Sequence, residues 1–186
     1  MAYSKQIQEN YKDYSLLISE EKELENKTIV LDERKKSRPE YKEKIVNACS
    51  DVLPNDITLT VQQKETEEND FKFLLRCGSF CPMPFFRFDS VGPAHRNANL
   101  PIPIELQQVP TPHFHKFAED GYEIAYKTEH LLDKKSAKAL EDIGLCIHHF
   151  LQESHVKDEG LSLISSPGKL PLDFNNIDPL EGVNFI

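Results

Sequence analysis

The chain has 186 residues, 39% of them hydrophobic and 28% charged, with a formal net charge of −9. That length fits one domain, and no stretch approaches the roughly 20 apolar residues that cross a bilayer, so no membrane partner is expected. The acidity opposes broad attraction for nucleic acid, but it is uneven: residues 71–127 carry six basic and five acidic side chains, and the excess acid lies in the flanks.

Ile7, Tyr11, Tyr14, Leu17 and Ile18 recur at helical spacing, which predicts an N-terminal helix running through Glu20–Glu25 until Asn26 stops it. Residues 40–49, following Pro39, are expected to form a second, shorter helix. Between them Thr28–Leu31 is either a short strand or a buried connector. From Asp56 the period changes to two. Ile57, Leu59 and Val61 alternate with polar residues, and further strands are expected at Phe71–Cys77, Met83–Asp89, His113–Phe117 and Tyr122–Lys127. Asp120-Gly121 supplies the turn between the last two. Residues 134–153 return to helix, with Leu140, Ile143, Ile147, Phe150 and Leu151 on one stripe and Asp133 as N-cap.

The expected architecture is therefore α+β. An antiparallel meander of about five strands carries N-terminal helices and one C-terminal helix packed on it. Residues 1–55 form a helical region packed on the main body, 56–158 the sheet and helix, and 159–186 an irregular tail. In that tail Leu170, Leu172, Phe174, Leu180 and Phe185 either pin it to the body or dock onto a partner. Met1–Gln6 has no apolar run of the kind a secretory signal needs, so a cytoplasmic location is expected. Cys49, Cys77, Cys81 and Cys146 are expected as free, mostly buried thiols, because Cys77-x-x-x-Cys81 lacks the second pair of a zinc knuckle.

The chemistry concentrates between Phe85 and Phe117. In Arg87-Phe88-Asp89 and His113-Phe114-His115 the polar residues share one face of a strand while the phenylalanine turns to the other. If the two strands are neighbours, Arg87, Asp89, His113 and His115 gather on one face, and His95 folds back toward them after Gly92-Pro93. These are the parts of metal-independent RNA cleavage. One imidazole takes the 2′-hydroxyl proton, another protonates the leaving oxygen, Arg87 or Arg96 steadies the phosphate and Asp89 orients a histidine. Arg96, Asn97 and Lys116 are the expected substrate contacts, although Lys116 alternates to the opposite face unless a bulge intervenes. No cofactor is required on this reading. The competing arrangement is zinc on His113 and His115, with His95 and either Asp89 or water. The proline-bearing stretch Ala98–Thr111 is expected to act as a lid or binding loop. His130, His148, His149 and His155 are expected to be structural or solvated.

The set Arg87-Phe88-Asp89, Gly92, His95, Asn97, Pro112-His113-Phe114-His115, Gly121 and Ala125 resembles an uncharacterised bacterial and phage protein family with an R-x-D, G-x-x-H-x-N, P-H-x-H pattern. The resemblance covers roughly residues 71–150. More distantly, R-F-D and P-H-x-H-K are similar to TumE-type toxins of bacterial toxin–antitoxin modules. That similarity implies a small RNA-targeting protein with a cognate antitoxin as partner. The chain departs from those toxins in its acidic N-terminal region, its longer loop after Asn97 and its extended tail. The alternative expectation is a non-catalytic binding or inhibitor protein of a defence or anti-defence locus, engaging its partner through residues 98–111.

Overall fold

The computed structural model describes residues 2–165. Ser4 accepts the Ile7 amide and opens α1 (Lys5–Glu9), which leads into α2 (Tyr11–Ser19). α2 stops well short of the expected Asn26, and Lys22 is the reason. Its buried ammonium donates to the carbonyls of Leu17 (2.8 Å), Ile18 (3.4 Å) and Glu20 (2.6 Å), closing the open end of the helix with positive charge. The chain then turns into β1 (Lys22–Leu24), β2 (Thr28–Leu31), β3 (Arg34–Lys35) and β4 (Arg38–Cys49).

Residues 40–49 are strand, not the expected helix. Val46 and Ala48 are buried while Ile45, Asn47 and Cys49 face outward, a period of two. β4 runs antiparallel to β5 (Ile57–Lys64), from Tyr41↔Lys64 to Ala48↔Ile57. The Lys and Glu residues favour helix in isolation, but the backbone edge of β5 needs partners and the long pairing supplies them.

After β5 come β6 (Phe71–Cys77), β7 (Cys81–Asp89), the short strands β8 (His95–Arg96) and β9 (Gln108–Val109), then β10 (His113–Phe117) and β11 (Glu123–Tyr126). The C-terminal part holds α3 (Glu129–Leu132), α4 (Lys134–Ala139), α5 (Ile143–Glu153), β12 (Val156–Lys157) and β13 (Ser162–Ser165). The expected single helix over 134–153 is two, because Asp142 accepts the Leu145 amide (2.9 Å) and starts α5 afresh. Asp133 caps α4 as expected.

The fold is α+β, and its main sheet has nine strands rather than about five. The order is β11-β10-β7-β6-β5-β4-β1-β12, with β3 added on β4; the β1–β12 pair is parallel and the other ladders are antiparallel. The expected strands form the contiguous half from β5 to β11. β13, in the stretch expected to be irregular, pairs in parallel with β2, which resolves Thr28–Leu31 as strand. The tail residues from Leu170 onward lie outside the described residues. No described helix is long and apolar enough to cross a membrane.

One face of the sheet packs on α5 through an aromatic cluster. Phe73, Phe86 and Phe114 surround Phe150, with ring centroids at 5.3, 5.5 and 6.3 Å. The opposite face meets α2. There the Tyr14 hydroxyl accepts the Phe117 amide (2.7 Å) and donates to the Phe85 carbonyl (3.1 Å). The β7–β10 ladder ends at His115↔Arg87, two residue pairs short of Phe117 and Phe85, and this hydroxyl bridges the two backbones beyond its end. Gly121 (φ +78°) forms the turn before β11, where an added Cβ would lie 2.6 Å from the Ser4 carbonyl oxygen.

Candidate metal centre

β7 and β10 are antiparallel neighbours in the register His113↔Asp89, Phe114↔Phe88 and His115↔Arg87. Strand alternation therefore sends Phe88 and Phe114 into the aromatic core and leaves Arg87, Asp89, His113 and His115 together on the other face. His95 arrives from β8. It is held there by its neighbour Asn97, whose amide donates to the Ala125 carbonyl (2.8 Å) and accepts the Ala125 amide (2.8 Å). β8 pairs with β9 to make a strap beside β11. The three imidazoles converge, with centroids 4.5 Å apart for His113–His115, 5.0 Å for His95–His115 and 6.4 Å for His95–His113.

The carboxylates flank His115 on its two sides. Nε2 is 3.1 Å from Asp89 Oδ2, and Nδ1 is 3.6 Å from Glu123 Oε2. The Arg87 guanidinium spans the same two acids, with Nε 3.3 Å from Asp89 Oδ2 and Nη2 3.3 Å from Glu123 Oε2. Lys72 on β6 adds a contact of 3.0 Å to Asp89 Oδ1. The sequence reading missed Glu123 and Lys72. The Asp-Gly turn held the signal for Glu123, since the hairpin register pairs Ala125 with His115 and Glu123 with Phe117, placing the carboxylate diagonal to His115 on its own face.

The three residues expected to touch substrate are engaged elsewhere. Asn97 is spent on Ala125, and Arg96 Nε donates to Gln107 within the strap (3.1 Å). Lys116 lies 4.8 Å over the Tyr126 ring, as its alternation implies. Of the outlying histidines, His149 contacts the Thr128 hydroxyl (2.9 Å) and His148 the Asp158 carboxylate (2.9 Å). All four cysteines are free, and Cys49 alone is exposed.

His113 and His115 are 2% and 3% exposed, yet His113 Nδ1 and both ring nitrogens of His115 have no hydrogen-bond partner among the described residues. Burial pushes the His113 pKa down to about 4, with His115 adding to the effect, and burial lowers that of His95. For Asp89 burial opposes ionisation, but the His115 imidazole and the charges of Arg87 and Lys72 outweigh it and hold the carboxyl well below the usual carboxylate range. At neutral pH His95 and His113 are neutral and Asp89 is ionised, the protonation states in which these groups ligate metals. Asp89, His113 and His115 place one ligand atom each within 4.8 Å of one another, and so do His95, His115 and Glu123.

The chain matches no protein-family model, no curated protein and no solved structure.

Proposed function

We propose that the cluster on β7, β10 and β11 is a divalent transition-metal centre serving hydrolysis, with Asp89, His113 and His115 as primary ligands. The observation that carries this reading is the set of buried imidazole nitrogens that lack hydrogen-bond partners beside a carboxylate. Each such orphan costs about 1–3 kcal/mol, a penalty that a coordinated cation removes. Two imidazoles and a carboxylate are a donor set used for zinc and for non-haem iron. A bound ion of this kind supplies Lewis acidity and lowers the pKa of a coordinated water. Arg87, with 28% of its side chain exposed, stands at the rim as the group to hold an anionic substrate. A phosphodiester, RNA first among them, is the substrate class these parts suit.

A second reading rests on His95. Among the three imidazoles it is the half-exposed one, its Nε2 contact is a backbone carbonyl (Glu123, 3.2 Å), and Arg87 is close by. Those two groups make a general base and a phosphate clamp, the metal-independent ribonuclease arrangement. RNA incubated with the untagged full chain separates the two. Cleavage that needs added Zn²⁺ or Mn²⁺ and stops with chelator supports the metal centre, whereas cleavage that persists in chelator and disappears in His95→Ala supports the second reading. Intact RNA under all conditions removes the ribonuclease activity from both, and a purified chain that binds no transition metal removes the first.

A further inference from the structure

We propose that the cluster holds two cations rather than one, with the His115 ring as the bridge between them; this rests on the metal-centre reading above. One site is Asp89, His113 and His115 Nε2, and the other is His95, Glu123 and His115 Nδ1.

The two ligand trios have His115 in common and nothing else. Their contacts divide its ring. Asp89 Oδ2 lies at Nε2 (3.1 Å) and Glu123 Oε2 at Nδ1 (3.6 Å). The two nitrogens of an imidazole point away from each other, so one ion binds only one of them. A single ion on Nε2 leaves Nδ1 buried and unpartnered, and an ion on Nδ1 does the same to Nε2; both atoms are orphaned among the described residues. Two ions satisfy both. They also account for the duplication of parts, since each side of the ring has its own carboxylate and its own second imidazole, His113 on one side and His95 on the other.

Arg87 sits between the two carboxylates, 3.3 Å from each, and holds them on either side of the ring before any metal binds. A neutral imidazole keeps one N–H, so the second ion displaces that proton to solvent and the ring binds as imidazolate.

The test is titration of the untagged, metal-free full chain with Zn²⁺, followed by Cu²⁺ loading and electron paramagnetic resonance. The expected result is two equivalents bound, falling to about one in His95→Ala, and a copper signal attenuated by exchange coupling through the shared ring. His95 lies on the strap, so its replacement leaves the β7–β10 ladder alone. The wild-type copper spectrum needs no variant at all. One equivalent in the wild-type chain overturns this proposal and leaves the metal centre standing. Two equivalents with independent copper signals, or with no loss in His95→Ala, place the second ion elsewhere and overturn it as well. No binding overturns both readings.

Discussion

His115 Nε2 lies 3.1 Å from Asp89 Oδ2, yet neither ring nitrogen of His115 has a hydrogen-bond partner among the described residues. The two groups are close but not aligned as donor and acceptor. Such a pair is poorly placed for a simple hydrogen bond and well placed to share a cation.

Replacing His113 or His115 with alanine should weaken Zn²⁺ binding by more than about 100-fold, the upper end of the loss caused by removing an outer hydrogen-bond partner of a ligand. The metal-free variants should keep the wild-type fold, because each substitution also removes an unsatisfied buried polar group. Competition with a chromophoric chelator, paired with circular dichroism, checks both parts.

Arg87→Met should destabilise the chain in chelator by roughly 2 kcal/mol. The figure is set below the ~3–5 kcal/mol typical of breaking a fully buried ion pair, because 28% of the arginine side chain is exposed. The lost charge leaves Asp89 and Glu123 facing each other across His115. Saturating Zn²⁺ should restore most of the stability, which denaturant unfolding with and without metal measures. Equal destabilisation in both conditions would contradict the account.

The stability of the metal-free protein should fall as pH is lowered from about 6.5 to about 4. His113 keeps its neutral form longer when folded, so over this window the unfolded chain binds more protons and the folded state loses ground. Asp89 adds a further loss below its ordinary value of 3.8, because its folded carboxyl stays ionised to lower pH. In His113→Phe the loss between pH 6.5 and 4 should shrink. Urea midpoints at several pH values for the two chains provide the comparison.

Tyr14→Phe should cost about 1–3 kcal/mol, because it strips the Phe117 amide and the Phe85 carbonyl of their shared partner in a buried setting. The loss should appear as faster hydrogen exchange at the Phe117 amide, next to the site, while α5 stays protected.

Much of this site was legible in the sequence because strand alternation is a strong local rule. R-F-D and H-F-H each place two polar groups on one face, and the β7–β10 register brings the faces together. His95 was legible through the turn that precedes it. Glu123 was not singled out, since a lone glutamate on a return strand means little until the hairpin register is fixed. Asn97 reads as a polar group near the chemistry, but its amide geometry serves the Ala125 backbone. The half of the sheet from β5 to β11 followed from alternation and turn residues. β4 has no strand signature of its own, because its Lys and Glu residues favour helix and its strand form depends on pairing with β5. β1 and β12 are too short to leave a periodic signal, and their parallel pairing joins residues far apart in the chain.

Anomalous scattering from a crystal equilibrated with Zn²⁺ tests the central claim most directly. The account predicts a zinc peak enclosed by Asp89, His113 and His115 at coordination distance, about 2.0–2.2 Å from each ligand atom. A well-ordered His115 with no zinc peak at either ring nitrogen, or zinc only at His148 on the surface, would contradict it.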